Sequence, residues 1–287
     1  MASWVQAQVL FACEPEWAAL AQVLMPQARV HIATLPTQDP HHIEARPALI
    51  AQMRNADMAL CTGAALEEGW LPVLQQKSGN PKVQNGQPGM FWATEGQTLL
   101  GRMNSSGSPF EGDVHPQGNP HVQANPQRLA QVARDLARRM ATLWPDQAAA
   151  VQDRLQGFEQ RWQAHMARWQ GQAQGLRGKT VAAQHTYFTY LWEWLGMTQV
   201  ADLEPKPGLT PSPAHLQQVM QRLRDQTPRV WGLAVVKHQD PRAARWMQQQ
   251  LPGLTVWSWQ GTVGQATEEG LVQWFDQMLT DLNKGGS

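Results

Sequence analysis

The sequence predicts an α/β protein of two lobes with parallel sheets, joined by a single long rigid helix. Short apolar runs alternate with amphipathic helical patterns near the N-terminus, and the same alternation returns in the last third of the chain. Such alternation is typical of parallel sheets. Between the two parts lies a helical pattern of about 30 residues, roughly 45 Å long. We therefore predict lobes at 1–144 and 178–287, with the connecting helix at 145–177.

The N-terminal lobe begins with alternating strands and helices. In chain order, the patterns indicate a strand at 5–12, a helix at 14–24, a strand at 29–35, a helix at 46–55 and a strand at 58–61. Residues 77–125 are rich in glycine, asparagine, proline and serine, which predicts mostly loop with short strands. A loop of that length is usually functional or disordered. A helical pattern then covers 126–143.

The connecting helix begins at Pro145, because proline is well suited to the first turn of a helix. After Gly178 the alternation resumes. The patterns indicate strands at 180–184, 200–203, 230–236 and 254–259, and helices at 187–195, 213–224, 241–250 and 268–282. No run approaches the roughly 18 to 20 consecutive apolar residues of a membrane-spanning helix.

Composition excludes two classes of partner. The chain has 287 residues, of which 42% are hydrophobic and 16% charged, so it contains enough apolar material for a large core. Lysine and arginine number 23, as do aspartate and glutamate. Without a basic surplus, the chain has no means of neutralising a nucleic-acid backbone or an anionic membrane surface. We expect neither partner, and we expect a monomer.

The positions of the nine histidines are the most informative feature of the sequence. Three of them, His31, His165 and His215, fall inside predicted strands or helices and are expected to be structural or solvent-facing. The others follow predicted strands or lie in loops, and they are His41, His42, His115, His121, His185 and His238. Ligands of open α/β sheets bind outside the carboxyl ends of the strands, so at least three histidines from both lobes can converge on one crevice. Three imidazoles and a fourth group suit tetrahedral Zn²⁺.

Four short segments of the sequence, three of which contain these histidines, indicate the function more closely. In chain order they are Asp39-Pro40-His41-His42-Ile43-Glu44, Cys61-Thr62-Gly63-Ala64-Ala65-Leu66-Glu67, His115-Pro116-Gln117-Gly118-Asn119-Pro120-His121 and His185-Thr186-Tyr187-Phe188. With the predicted architecture, they resemble the metal-binding motifs of cluster A-I solute-binding proteins, the extracytoplasmic receptors of zinc and manganese ABC importers. The resemblance covers nearly the whole chain and is closest to the zinc receptors. It implies a metal-binding cleft between the lobes.

By position, the resemblance implies that His41, His121 and His185 are metal ligands. Manganese receptors tend to carry glutamate at the third position, so histidine there favours Zn²⁺ over Mn²⁺. The family's fourth ligand is usually an acid after the last strand of the second lobe, and the sequence has none at the expected place. The remaining candidates for the fourth position are water, His238, Asp240 and His115. Glu44 either supports the site or is an acid at the start of a helix.

The function implied by the resemblance is capture of Zn²⁺ and its delivery to an ABC permease in the membrane. The bound ion is cargo, and the protein is not expected to be an enzyme. Binding requires neutral imidazoles, so affinity should fall as the pH drops through about 6.5. The location is expected to be periplasmic or otherwise extracytoplasmic. Because Ala2-Ser3 and Gly285-Gly286-Ser287 look like additions at the ends of an expressed chain, we expect a native signal peptide to have been removed.

Three departures from the family pattern leave alternatives open. The first is the missing acidic fourth ligand. The second is that residues 77–114 are polar without being rich in histidine, and the third is that Thr62 replaces the usual asparagine before Gly63. An open three-histidine zinc site is also the arrangement with which hydrolytic enzymes activate water. Alternatively, the same fold binds another metal or an organic solute. The strands that end near Cys13 and Cys61 are neighbours in this fold, so in an oxidising compartment the two cysteines are either a disulfide or free thiols.

Overall fold

The structure, a computed structural model, describes residues 7–102, 113 and 115–285. The chain forms two compact units, each assembled from three segments. The first unit consists of Met1–Gln97, Gln127–Gln163 and Thr262–Val272, and the second of Thr98–Pro126, Ala164–Gly261 and Gln273–Ser287. The long helix is divided between the two units, with the boundary after Gln163. The sequence-based division treats this helix as a separate segment, and its limits 1–144, 145–177 and 178–287 stay a prediction.

The first unit is built on a parallel sheet of four strands. They are β1 (Val9–Ala12), β2 (Arg29–Ile32), β3 (Met58–Cys61) and β4 (Met90–Trp92), in the spatial order β2-β1-β3-β4. Helices α1 (Pro15–Leu24), α2 (Pro47–Arg54), α3 (Leu71–Ser78) and α4 (Pro126–Leu143) follow the strands along the chain. β1 and β3 are buried almost completely, as expected for central strands covered on both faces.

The second unit repeats this arrangement. Its strands are β5 (Thr180–Ala183), β6 (Thr198–Asp202), β7 (Leu233–Val236) and β8 (Val256–Trp259), all parallel and in the order β6-β5-β7-β8. Its helices are α6 (Thr189–Leu195), α7 (Pro213–Arg224) and α8 (Arg242–Gln250). Helices α5 (Ala148–Gln172) and α9 (Glu268–Lys284) contribute residues to both units. The prediction of two α/β lobes and one long helix is confirmed.

Each sheet has a switch point at which its strand order reverses. In the first unit this point lies between β1 and β3, and in the second between β5 and β7. Ligands of such sheets bind outside the carboxyl ends of the strands beside the switch point. The residues that follow these four strands, Cys13, Thr62, Gln184 and Lys237, therefore mark where each unit is expected to carry chemistry.

The observed elements differ from the sequence patterns mainly at their ends. β2 ends at Ile32 and β7 begins at Leu233, so both are shorter than their apolar runs. Helix α3 lies in a stretch for which the pattern predicts no helix. It is short, and Pro72 stands in its first turn, where proline is tolerated because the missing N–H has no partner within the helix. In the described part of the chain, none of the helices combines the length and apolar character needed to cross a membrane.

The turn after β3 contains three successive left-handed residues. Gly63 has a φ of 83°, and the two alanines that follow, Ala64 and Ala65, have φ values of 51° and 67°. This region costs an L-residue about 1–2 kcal/mol, and only glycine enters it freely. The turn brings the carboxylate of Glu67 back to the N–H groups of Thr62 and Gly63, with distances of 2.6 and 3.0 Å.

Substituting Ala65→Gly is expected to raise the free energy of unfolding by about 0.5–1 kcal/mol. The backbone strain at φ 67° is relieved, and this gain exceeds the extra conformational entropy that glycine adds to the unfolded chain. Urea unfolding measures the difference. The matched control is Ala51→Gly on the exposed side of α2, which should lower stability by a similar amount because glycine is a poor helix former. A loss of stability with Ala65→Gly would contradict the strain argument.

Candidate metal centre

Two buried histidines face each other in the second unit. His185 follows β5 at the switch point, and His121 precedes a short turn that leads into α4. Their ring centroids are 5.8 Å apart, and each offers a ring nitrogen within 4.8 Å of the other. His121 is completely buried and His185 is 5% exposed. Two imidazoles at this separation can bind one metal ion between them.

Glu204 holds the ring of His185. Its Oε2 atom lies 2.7 Å from His185 Nδ1, and both side chains are largely shielded from solvent. The same oxygen accepts the N–H of Gly208 at 2.8 Å, and Oε1 accepts from Gln239 Nε2 at 3.2 Å. This bond engages Nδ1, so a metal would bind through Nε2. A carboxylate that accepts from the second ring nitrogen orients a histidine ligand and raises its basicity.

The ring of His121 is held by stacking on Tyr187. The two ring centroids are 3.7 Å apart, with an interplanar angle of 20°. Gly261 packs closely on Tyr187, because a Cβ atom at this glycine would lie 2.7 Å from the tyrosine Cζ. Tyr187 is therefore fixed in place, which limits rotation of the stacked imidazole.

The loop that carries His121 is tied to the residues after His185. Asn119 is the centre of this connection: its Oδ1 accepts the backbone N–H of His121 at 2.9 Å, and its Nδ2 donates to the carbonyl of Thr186 at 2.7 Å. The hydroxyl of Tyr190 donates to the carbonyl of Asn119 at 2.7 Å. These bonds tie the two histidine-bearing segments to each other.

The candidates for a fourth ligand in this unit differ in their surroundings. The ring of His115 is 6.3 Å from that of His121, and the ring of His238 is 6.2 Å from that of Tyr187. Asp240 is exposed, and its carboxylate accepts from Arg242 Nε at 2.6 Å, which lowers its pKa. It is therefore less suited than the two histidines to accept a metal.

A second acid lies near His185. Burial raises the pKa of Asp202, at the end of β6, to about 6, although the neighbouring His185 and a hydrogen bond from Gln199 oppose this rise. At neutral pH this carboxyl group is mostly ionised. Asp202 and Glu204 thus place negative charge around the histidine, which favours a bound cation.

In the first unit, His41 lies in the loop after β2 and is 8% exposed. Asp39 holds it twice: Oδ1 accepts the backbone N–H of His41 at 3.0 Å and lies 2.7 Å from the ring Nδ1. Trp70 fixes the loop by donating from Nε1 to the carbonyl of Pro40 at 2.8 Å. His41 thus has the same carboxylate support as His185. His42 and Glu44 are exposed.

The switch point of the first unit carries buried acids that the sequence pattern does not single out as functional. Burial raises the pKa of Glu16 and of Glu67 to about 7. The pKa of Glu14 is also raised, by burial and by the nearby charge of Glu67. Thr62 connects this group, because its hydroxyl donates to Glu14 Oε2 at 2.9 Å and accepts from Trp17 Nε1 at 2.8 Å.

The structure joins Cys13 and Cys61 in a disulfide, with Cα atoms 4.8 Å apart. The pairing follows from the sheet register, because Ala12 of β1 pairs with Leu60 of β3 and the cysteines are the next residues on these neighbouring strands. The alternative of two free thiols does not apply to this structure.

The buried acids make stability depend on pH. Between pH 4.5, the ordinary pKa, and about 7, folded Glu16 keeps a proton that the unfolded chain has released. The free energy of unfolding therefore falls as the pH rises through this window. Glu16→Gln mimics the protonated form, so we expect it to stabilise the protein by about 3 kcal/mol at pH 8 and to have little effect at or below pH 4.5.

Urea unfolding of the metal-free protein at both pH values measures this effect, with a chelator present so that metal binding does not contribute. Glu68→Gln on the exposed surface is the matched control and should change little at either pH. A Glu16→Gln effect of equal size at both pH values would show that the substitution acts through packing and not through ionisation.

Two α/β units with parallel sheets are the architecture of a two-lobed receptor, and buried histidines supported by carboxylates are the side chains expected of one that binds a metal ion. The chain belongs to the family of ZnuA, the periplasmic component A of the zinc-uptake complex, whose family model matches residues 10–285. This family consists of transport receptors and not of enzymes, so the hydrolase alternative is set aside.

Individual relatives support this assignment. The chain is 24% identical over 214 residues to the zinc-binding lipoprotein AdcA of Streptococcus pneumoniae serotype 4; the match covers 73% of this chain and 41% of AdcA. The chain thus spans less than half the length of this relative.

Solved structures share the fold. A crystal structure of ZnuA matches with a TM-score of 0.77 and 16% identity, covering 96% of this chain and 99% of the other. The solute-binding protein FpvC of Pseudomonas aeruginosa, solved with Mn²⁺, matches with a TM-score of 0.77 and 17% identity, covering 97% of each chain.

Sequence reasoning missed three residues that support the histidines. Glu204 stands directly after a predicted strand, at the edge where ligands bind, and this position was a usable signal. Asp39 is part of the first quoted motif, and its spacing of two residues from His41 favours a local hydrogen bond. No sequence signal indicates that Tyr187 stacks on His121, because the two are far apart in the chain.

Proposed function

We propose that this protein is a receptor for Zn²⁺ that binds the ion through His121, His185 and His41. The observation that carries the proposal is the pair of buried, facing imidazoles in the second unit, with Glu204 supporting His185. His41 joins this pair on the strength of the family motif Asp39-Pro40-His41. Its ring is supported by Asp39 in the same way.

Zinc is favoured over manganese by the donor set. Imidazole suits zinc, copper and nickel, whereas Mn²⁺ prefers carboxylate and water oxygens and lies at the weak end of the affinity series. The names of ZnuA and AdcA also refer to zinc. FpvC has the same fold and was solved with Mn²⁺, so the fold alone does not select the ion. The preference must come from the ligands of this chain.

The fourth position is filled by water, His115 or His238 in this proposal. Both histidines belong to the same unit as His121 and His185. The ring of His115 lies near that of His121, and the ring of His238 lies near that of Tyr187, which stacks on His121. Asp240 is the weakest candidate because Arg242 binds its carboxylate. A water ligand would leave the ion easier to release, which suits cargo.

The receptor is proposed to act outside the cytoplasm as a monomer and to pass its ion to an ABC permease. Membership in a family of periplasmic zinc-uptake components supports this role. AdcA is much longer than this chain, so its complete activity is not carried over.

The test is metal content followed by calorimetric titration of the stripped protein. We expect one equivalent of tightly bound Zn²⁺ and clearly weaker binding of Mn²⁺, because the ligands are imidazoles. Competition between the two ions at equal concentration checks the preference independently. If Mn²⁺ displaces Zn²⁺, the assignment of zinc is wrong. If neither ion binds tightly, the receptor takes another cargo.

A further inference from the structure

The carboxylate of Glu67 lies beside the Cys13–Cys61 disulfide of the first unit, so three side chains of metal-binding type are close together there. A carboxylate oxygen of Glu67 and the sulfur atoms of Cys13 and Cys61 all lie within 4.8 Å of one another. The cysteines are completely buried and Glu67 is 2% exposed. This group belongs to the first unit, whereas His121 and His185 belong to the second.

The backbone holds these three donors in place independently of the disulfide. The N–H of Cys13 donates to the carbonyl of Leu60, and the carbonyl of Cys61 accepts from Ala93, both at 2.8 Å. These bonds extend the parallel pairing of β1 with β3 and of β3 with β4. Glu67 is anchored by the N–H groups of the strained turn. Breaking the sulfur–sulfur bond therefore leaves the three donors together.

We propose that Cys13, Cys61 and Glu67 form a second metal site when the disulfide is reduced, with specificity for Zn²⁺ and similar thiophilic divalent ions. Two thiolates and one carboxylate are all established zinc ligands, with Zn–S distances of about 2.3 Å and Zn–O distances of about 2.0–2.2 Å. Tetrahedral coordination requires the sulfurs to be about 3.7 Å apart. Rotation about the Cα–Cβ bonds provides this separation while the sheet remains intact.

Occupancy of this site is controlled by oxidation. A dithiol reductant transfers two electrons and two protons to the disulfide, which yields two thiols and the oxidised reductant. A divalent ion then displaces both thiol protons and binds the two thiolates, while Glu67 coordinates as a carboxylate and releases any proton it holds. Oxidation to the disulfide removes both sulfur ligands and expels the ion.

The test uses the full chain with His41→Ala, His121→Ala and His185→Ala, so that the zinc site proposed above does not contribute. Cadmium is the probe, because its bond to thiolate has an ultraviolet charge-transfer band. Two samples, the oxidised protein and the protein reduced with a phosphine, are each incubated with Cd²⁺ to equilibrium. In the reduction, the phosphine takes up the oxygen of one water molecule as the two thiols form. We expect one equivalent of Cd²⁺ with the thiolate band in the reduced protein and none in the oxidised protein.

Variants then test the donors separately. Cys13→Ser leaves the single thiolate of Cys61, so we expect a weaker band and a cadmium affinity lowered about tenfold or more, and Glu67→Gln should also lower cadmium affinity about tenfold or more. Glu68→Gln, on the exposed neighbour, is the matched control and should bind as the background protein does. Circular dichroism checks folding, and the comparison of oxidised with reduced background protein needs no cysteine variant. The proposal is overturned if the reduced background protein binds no Cd²⁺, or if Glu67→Gln and Glu68→Gln bind equally.

Discussion

His185→Ala should lower the affinity for Zn²⁺ by roughly a hundredfold or more. Structural zinc sites with four ligands have apparent binding free energies of about 10–16 kcal/mol, or about 3 kcal/mol per ligand, which corresponds to a factor of about 100. His121→Ala and His41→Ala should have effects of the same order. Calorimetric titration of the stripped variants, in competition with a chelator of known affinity, measures the loss.

A graded series distinguishes a ligand from its support. Glu204→Gln keeps an acceptor oxygen next to His185 Nδ1 but removes the negative charge, so a smaller loss of about tenfold is expected. The control is His165→Ala, since His165 stacks on Trp169 within α5 and should not affect binding. Equal affinity of the wild type and His185→Ala would exclude this histidine as a ligand.

Loss of the disulfide should reduce the free energy of unfolding by about 4 kcal/mol. The bond connects cysteines separated by 48 residues in the sequence, and the loop-closure entropy that it removes from the unfolded chain corresponds to roughly this value. Urea unfolding of oxidised and reduced protein, with a chelator present, measures the difference without deleting any atoms.

The double variant Cys13→Ala/Cys61→Ala controls for effects of the reductant. It should be less stable than the oxidised wild type and should not respond to the reductant. Because both cysteines lie in the hydrophobic core, their truncation adds a small packing loss to the entropic one. If oxidised and reduced wild type unfold at the same urea concentration, the disulfide makes no net contribution to stability.

The buried residues at the switch point of the first unit affect the free energy of unfolding in two opposite ways, through pH and through oxidation. Glu14, Glu16 and Glu67 have raised pKa values because burial disfavours their charged forms. Each of them reduces stability as the pH rises, while the disulfide stabilises the ends of β1 and β3. Among these acids, Glu67 places a carboxylate oxygen within 4.8 Å of both cysteine sulfur atoms, and the proposed second metal site depends on this arrangement.

Much of the fold was predictable because it depends on local patterns. Apolar runs such as Met58–Cys61 and the amphipathic stretch Pro126–Leu143 have the periods of a buried strand and a helix. Short elements were harder, as α3 shows, since eight residues with a proline give little periodic signal. Strand ends were overestimated because apolar residues continue past the last hydrogen-bonded pair.

The sequence by itself determined the order of strands and helices and the motifs that carry His41, His121 and His185, since both are encoded in short stretches of chain. Only the tertiary structure decided the contacts between distant segments: Glu204 with His185, and Tyr187 with His121. The reason is physical. Local propensity acts over a few residues, whereas a hydrogen bond or a stacked ring depends on the sheet order and register that bring remote residues together.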